Sequence, residues 1–436
     1  VVSNEQARLL LRTRFTAQPV ADIMKEQNSN YKWYILALVV LTDMFVIAIP
    51  QMGMSVLAEE IAESLNLDLI QVGIIWGAGS LLGIVSGLLG GMIGDIVGPK
   101  RVLVASTLLG GLLGMARGWA GDFVSMTVIT ILLGAIVPVV LINSIKIAGQ
   151  WFPPQQLGLA NGVQAMGMAF GFMLGSLLSA TVLSPLLGGW RAVLIAYGLI
   201  GAIFSVAWFF ARTNDGAPRA AVAPPSLRLA LRHVTGLKNI WLLGFGLFGI
   251  SGAIQGTLGF LPLYLRSVGW QPAYADGALS MFHVVSMTFV VPMALWSDRL
   301  GVRKPFLLVA SVMIALGFGL LSFVDGAFVW MAVILSGAVR DTFMAIYLTM
   351  VIETDQVGPV YAGTATGFAL AISGIANVIA PPIGNGLTPL WPGAPFAFWA
   401  ALSLFGILCL ALVKDGSRGI EPVGMEVGAA QAAVAD

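Results

Sequence analysis

Charge is scarce in this chain. Lys, Arg, Asp and Glu make up 10% of its 436 residues, against about 25% in an ordinary soluble domain. Hydrophobic residues reach 58%, so lipid must solvate most of the outer surface. The net charge of +1 gives no bulk field for a polyanion, which argues against a nucleic-acid partner. Cysteine occurs once, at Cys409, so no disulfide can form within the chain. Histidine occurs twice, and no cysteine–histidine metal cluster can be drawn. No Walker lysine and no nucleophile elbow are present. Gly244-Phe-Gly246-Leu-Phe-Gly249 has dinucleotide-loop spacing, but no strand precedes it and it lies inside an apolar run. Neither a cofactor nor an enzymatic activity is expected, and a separate enzymatic domain has no room. Residues 1–31 carry no apolar signal-peptide core. Met24 precedes the first apolar run and reads as the native start, with residues 1–23 an upstream extension.

What the chain has instead is long apolar runs. A helix crosses hydrocarbon in about 20 residues, and twelve runs fit: 33–57, 70–94, 102–120, 124–148, 157–183, 191–211, 240–264, 273–296, 305–324, 327–350, 362–388 and 394–413. An even count puts both termini on one side. With that side inside, inner segments hold 18 of the 22 Lys and Arg residues and outer ones 3, which fixes both termini as cytoplasmic. The expected organisation is a cytoplasmic segment 1–31, a six-helix bundle 32–211, a linker 212–239, a second six-helix bundle 240–413 and a cytoplasmic tail 414–436. The linker holds Pro218, Pro224 and Pro225, and a short surface helix is expected from Ser226.

The two halves repeat. Gly91-Met-Ile-Gly-Asp95-Ile-Val-Gly98-Pro-Lys100-Arg101 returns as Trp296-Ser-Asp298-Arg299-Leu-Gly301-Val-Arg303-Lys304, with Asp95 and Asp298 203 positions apart. Ile131-Leu-Leu-Gly134-Ala135-Ile returns at the same offset as Ile334-Leu-Ser-Gly337-Ala338-Val. Six spans per half is even, so the repeats are parallel, related by an axis along the membrane normal.

On these motifs residues 32–413 resemble the major facilitator superfamily, whose hallmark is the loop between spans 2 and 3 matched by Gly91, Asp95, Gly98, Lys100 and Arg101. The resemblance implies an all-α membrane protein of twelve transmembrane helices, two parallel six-helix repeats around a central cavity. It also implies that the loop aspartates and their basic neighbours, in both copies, form a conformational latch between the halves. The first copy departs at Ile96 and Pro99, where the family usually has Arg. Trp151-Phe152-Pro153-Pro154, with Gly158 and Gly162, is similar to the span 4–5 turn of anion-transporting branches, nitrate porters among them. Those porters carry an arginine in span 2, and Gln71–Gly94 has none. Span 1, from Asp43 to Pro50, is loosely similar to the acidic first span of proton-driven drug exporters. The branch stays open.

Polar residues inside spans need a partner, a wet cavity or a purpose, since a central charge costs at least ~2.5–3.5 kcal/mol. Arg340 and Asp341 fall mid-span 10, and as helix neighbours they point about 100° apart. Arg340 shares its face with Ser336, Phe343 and Tyr347 and reads as a substrate-anion anchor, or as half of an ion pair with Asp43 or Asp341. Asp43, Asp341 and His283 are candidates for carrying a coupling proton. His283, Tyr347, Gln255, Gln164 and Asn377 are candidate substrate contacts. Lys146 and Arg117 lie near span ends and are expected to snorkel to the interface. The function expected is secondary active transport of a small organic anion by alternating access, coupled to protons or to a counter-substrate. The alternative is proton-coupled efflux of amphipathic drugs. One chain encloses a whole cavity, so a monomer in lipid is expected, in a bacterial or archaeal inner membrane.

Overall fold

The computed structural model describes residues 30–212, 227–300 and 303–414. The segment holding Met24, linker residues 213–226, Gly301, the tail after Lys414 and the side chain of Asp298 lie outside the described residues.

Twelve helical spans form two similar groups of six. Span 1 runs through Tyr31–Thr42, π-helical turns at Asp43–Ala48, and Ile49–Val56. Span 2 is broken into Leu69–Ala78 and Gly83–Val97. Spans 3 and 4 are Pro99–Gly118 and Phe123–Trp151. Span 5 is Pro154–Leu178, continued through Ser179–Leu183 and Ser184–Leu187, and span 6 is Trp190–Phe210. Spans 7 to 12 are Lys238–Ser267, Pro272–Leu300, Lys304–Leu321, Ala327–Glu353, Gly358–Asn385 and Ala394–Ala411. Ten of the described helical spans are long and apolar enough to cross a membrane; spans 2 and 3 complete the twelve. The short helix Leu227–Thr235 stands where the linker was expected to carry one.

Local chemistry sets the ends. Asp68 accepts the Gln71 N–H at 2.8 Å while Gln71 accepts the Asp68 N–H, a reciprocal cap that starts span 2. Asp122 and Ser125 do the same for span 4, and the Ser125 N–H holds the Asp122 carboxyl below its usual range. Pro99 and Pro154 occupy first-turn positions, where a missing N–H loses nothing. The unpaired outer faces carry Leu109, Leu112, Val128, Leu132, Phe209 and Leu408, all exposed and facing where lipid would lie.

The ends at Tyr31 and Lys414 define one face, called here the terminal face; the opposite one is the far face. The buried core is continuous across the far half, where Met52, Leu57, Ile61 and Trp190 join Leu258, Phe260, Leu261 and Tyr264. Toward the terminal face a separate cluster, including Ile35, Leu103, Ile147, Trp151 and Trp208, belongs to the first half alone. The halves are therefore packed together at one end and apart at the other.

Small residues let spans 3 and 6 touch along their backbones. A Cβ on Gly111 would stand 2.6 Å from both the Gly198 carbonyl oxygen and the Ala202 nitrogen. Gly111→Leu is expected to cost about 1–3 kcal/mol by overpacking, read as a lower thermal midpoint in detergent; an unchanged midpoint would show that the contact is not close.

Candidate functional site

The far closure is built on Arg266, at the end of span 7. Its guanidinium donates to Val56 O at 2.9 Å and Glu59 at 3.2 Å in the first half, and pairs with Asp276 at 2.6 Å. Asp276 also accepts from Thr181 of span 5 at 2.8 Å. Ser55 donates to Leu258 O, Ser176 meets Ser280, and Asn385 donates to Leu69 O. Trp76 donates its indole N–H to Gln255 O at 2.7 Å and roofs the space below. The inter-half hydrogen bonds and ion pairs seen among the described residues gather on this side.

Beneath that roof lies a cavity of about 950 Å³ between spans 1, 2, 4 and 11. It reaches from Trp76 and Gln255 down to Asp95 and Lys146 near the terminal face. Its wall is mostly apolar, with Val46, Ile47, Pro50, Leu133 and Val137. Among the described residues, three charged ones line it: Asp95, Lys146 and Arg117. Asp95 and Lys146 form an ion pair at 2.6 Å at the mouth, with the Asp95 side chain 71% exposed, and Lys146 also donates to Gly91 O. Arg117 has neither an ion-pair nor a hydrogen-bond partner among the described residues; its Nε is buried and unsatisfied, and the residue is 4% exposed.

The sequence candidates divide sharply. Gln255 and Asn377 are on the cavity wall, where Asn377 accepts from Ser251 at 2.8 Å. Arg340 is not. Contrary to the reading that neighbours point apart, its flexible side chain turns onto Asp341 at 2.9 Å, and its guanidinium lies over the Phe172 ring. Tyr347 is off the wall too, because the face it shares with Ser336 and Phe343 packs into the second half, where its hydroxyl donates to Leu243 O. His283, 1% exposed, packs against Phe172 and Phe282 with Nε2 3.2 Å from the Met52 sulfur. Gln164 is drawn to Asp43 instead, donating to Oδ2 at 2.5 Å while Ser144 donates to Oδ1 at 3.1 Å. Asp43 is 0% exposed, faces these neutral donors and does not pair with Arg340.

The described contacts of the loop motif lie within each half. Gly98, at φ +97°, makes the turn before Pro99, and Arg101 turns back to Val97 O. Lys100 and Arg299 lie near the ends of their helices. Arg303 approaches Glu353, and Lys304 donates to Val413 O at 2.7 Å.

Gln51, Trp76, Thr130, Thr366 and Ser373 are wall residues that sequence reasoning missed, and Arg117 is on the wall where an interfacial position was expected. Side chains on a helix lean toward its N-terminus. Span 3 runs toward the far face, so Arg117 in its last turn leans back into the membrane and does not snorkel outward as expected. The signal was there in principle: a basic residue in the last turn of a span whose helix direction follows from the topology.

A family model described as Major Facilitator Superfamily matches residues 36–354 and, in a second match, 266–430. The chain belongs to the major facilitator superfamily. As a member it is a transporter by fold, a multi-pass integral membrane protein and not an enzyme. It is 26% identical over 372 residues to the 3-(3-hydroxy-phenyl)propionate transporter of Escherichia coli (strain K12), covering 79% of this chain and 86% of that one. It is 25% identical over 400 residues to the probable sulfoacetate transporter SauU of Cupriavidus necator, covering 84% and 90%. The solved structure of a point mutant of the nucleoside transporter NupG superposes with a TM-score of 0.74 at 14% identity, over 87% of this chain and 99% of that one.

Arg266 carries the gate geometry, and removing one partner of a buried pair costs about 3–5 kcal/mol. With Cys409→Ser and Ser55→Cys as reporter background, Arg266→Gln is expected to raise maleimide labelling in detergent at least about tenfold. Unchanged labelling would remove Arg266 from the gate.

Proposed function

We propose that this superfamily member carries a small organic anion by alternating access, with a proton as the coupling ion. The observation that carries the reading is the charge balance of the cavity. Asp95 is matched by Lys146, and Arg117 is matched by nothing among the described residues. An unpaired fixed cation at membrane depth calls for an anion there, and guanidinium is suited to carboxylate or sulfonate. The two relatives above, by their names, move a carboxylate and a sulfonated carboxylate. No unpaired acid lines the cavity among the described residues, so a lipophilic cation finds no partner on its wall.

The positive-inside count makes the terminal face cytoplasmic. On that reading the cavity is open inward and the Arg266 network closes it outward. The bundles 32–211 and 240–413 rock about the site as bodies joined by the 212–239 linker, and one chain suffices. Asp95 in this state engages Lys146 of its own half, which leaves the inter-half latch for the outward-open state. Asp43 is the coupling residue on this reading. It opens the π-helical turns of span 1 and ties spans 1, 4 and 5 through Ser144 and Gln164. The same span then carries Met52 to His283 and Ser55 to Leu258 in the other half. Protonation of Asp43 changes the bonding at the root of that strut.

Proteoliposomes with an imposed pH gradient test the reading. Accumulation of 3-phenylpropionate or sulfoacetate is expected; accumulation of lipophilic cations and of neither anion would select the drug-efflux alternative. Asp43→Asn is expected to cut pH-driven accumulation at least about tenfold, the effect of about 1.4 kcal/mol, while anion exchange persists. Undiminished pH-driven accumulation would take Asp43 out of the coupling role.

A further inference from the structure

We propose that the break in span 2 is the seat of the transported anion, with Arg117, Thr130 and the start of the Gly83–Val97 helix holding one carboxylate or sulfonate head group. The proposal rests on the anion-carrier reading and says where, and by which groups, the charge is held.

Three observations meet at this place. Arg117 is the unpartnered guanidinium already described, 4% exposed and on the cavity wall. Thr130 is 8% exposed, lies on the same wall, and its hydroxyl has no hydrogen-bond partner among the described residues. Thr257 and Thr342 are also unpartnered but are not among the lining residues, whereas other helical threonines return the hydroxyl to their own helix. Thr127, three residues earlier in span 4, does so to Phe123 O at 2.7 Å, and Thr107 does so to Leu103 O. Thr130 is thus an unpartnered donor on the same cavity wall as an unpartnered cation. The third observation is the break. Span 2 stops at Ala78 and restarts at Gly83, and no side chain caps the new helix. Its positive end therefore lies at membrane depth without a counter-group, in the manner that suits an anion.

The break is seated against span 4 by one glycine. A Cβ on Gly134 would collide with the Gly79 carbonyl, so only glycine lets the two backbones meet. Gly134 is one turn after Thr130 and on the same face. A Cβ on Gly79 would stand 3.7 Å from the Thr130 methyl. Gly79, Ser80 and Gly83 line the cavity along with Arg117 and Thr130. The rest of the wall is mostly apolar, with Gln51, Gln255, Thr366, Ser373 and Asn377 as neutral polar residues and the Asp95–Lys146 pair at the mouth. Arg117 is the one lining cation without an acidic partner among the described residues.

The test is thermal stabilisation of the purified full chain by 3-phenylpropionate and sulfoacetate, with neutral 3-phenylpropionamide as control. Wild type is expected to respond to the anions and not to the amide. Arg117→Met is expected to raise the ligand-free midpoint, because it removes an unpaired buried charge, and to weaken anion binding at least about 30-fold. Thr130→Val, close in shape, is expected to weaken binding about tenfold with an unchanged ligand-free midpoint; it decides the matter if Arg117→Met fails to fold. Arg117→Lys is expected to recover part of the affinity. A lower ligand-free midpoint in Arg117→Met, with anion affinity kept, would overturn the subsite and make Arg117 structural. Wild-type affinity in Thr130→Val would overturn its share in the subsite. Anions that bind wild type and both variants equally would sink the subsite and leave the anion-carrier reading standing. A wild type that no anion stabilises and that accumulates none would sink both.

Discussion

Hydrocarbon cannot solvate charge, and the placement of charged groups in this transporter follows from that constraint. Arg266 is buried and tied to both Glu59 and Asp276. Arg340 turns onto its own neighbour. Lys146 reaches Asp95 at the wet mouth. Asp43 is wrapped by two neutral donors. Each arrangement removes an uncompensated charge from lipid, and each fixes the geometry of the spans that supply it. Arg117 is the exception on the cavity wall, and its position facing the cavity rather than lipid is what makes the exception tolerable.

The same constraint explains why the two ends of the molecule differ. At the far end, ion pairs and apolar packing lock the halves into one core. At the terminal end the Ile35 and Trp208 cluster closes the first half on itself, and the facing surfaces part around the cavity. A closed end needs partners from both halves, whereas an open end needs each half to satisfy itself. The lysine–aspartate pair at Asp95 and the Arg303–Glu353 approach each join residues of one half, as the open end requires.

Much of the fold was legible in the chain, because spans and repeat are written in local composition. Apolar runs of membrane length and two copies of the Asp95 loop suffice for twelve helices in two repeats. The break in span 2 was not read, although Gly77, Gly79, Ser80 and Gly83 crowd there, since small apolar residues lower hydropathy little. The surroundings of the candidate residues were less legible, and for one reason. Position along a helix does not reveal what a side chain meets. Arg340 drew attention by its central position, yet its charge is spent on Asp341. Tyr347 shares a face with polar neighbours, yet that face is turned into packing. Arg117 looked harmless near a span end, but helix polarity sends it inward. Asp43 and Gln164 were each singled out, and their pairing across 121 positions belongs to tertiary structure alone.

The broken second span has a consequence for biosynthesis. Its pieces, Leu69–Ala78 and Gly83–Val97, are 10 and 15 residues long, and neither reaches the ~20 residues a self-sufficient span needs. Span 3 follows with Lys100 and Arg101 at its start and Arg117 near its end. Neither segment is a strong stop-transfer signal. During translation the two are expected to enter the bilayer as a hairpin, with span 4, far more apolar, following and Gly134 receiving the break. The residues at the break thus shape both the cavity wall and the way this stretch of the chain enters lipid.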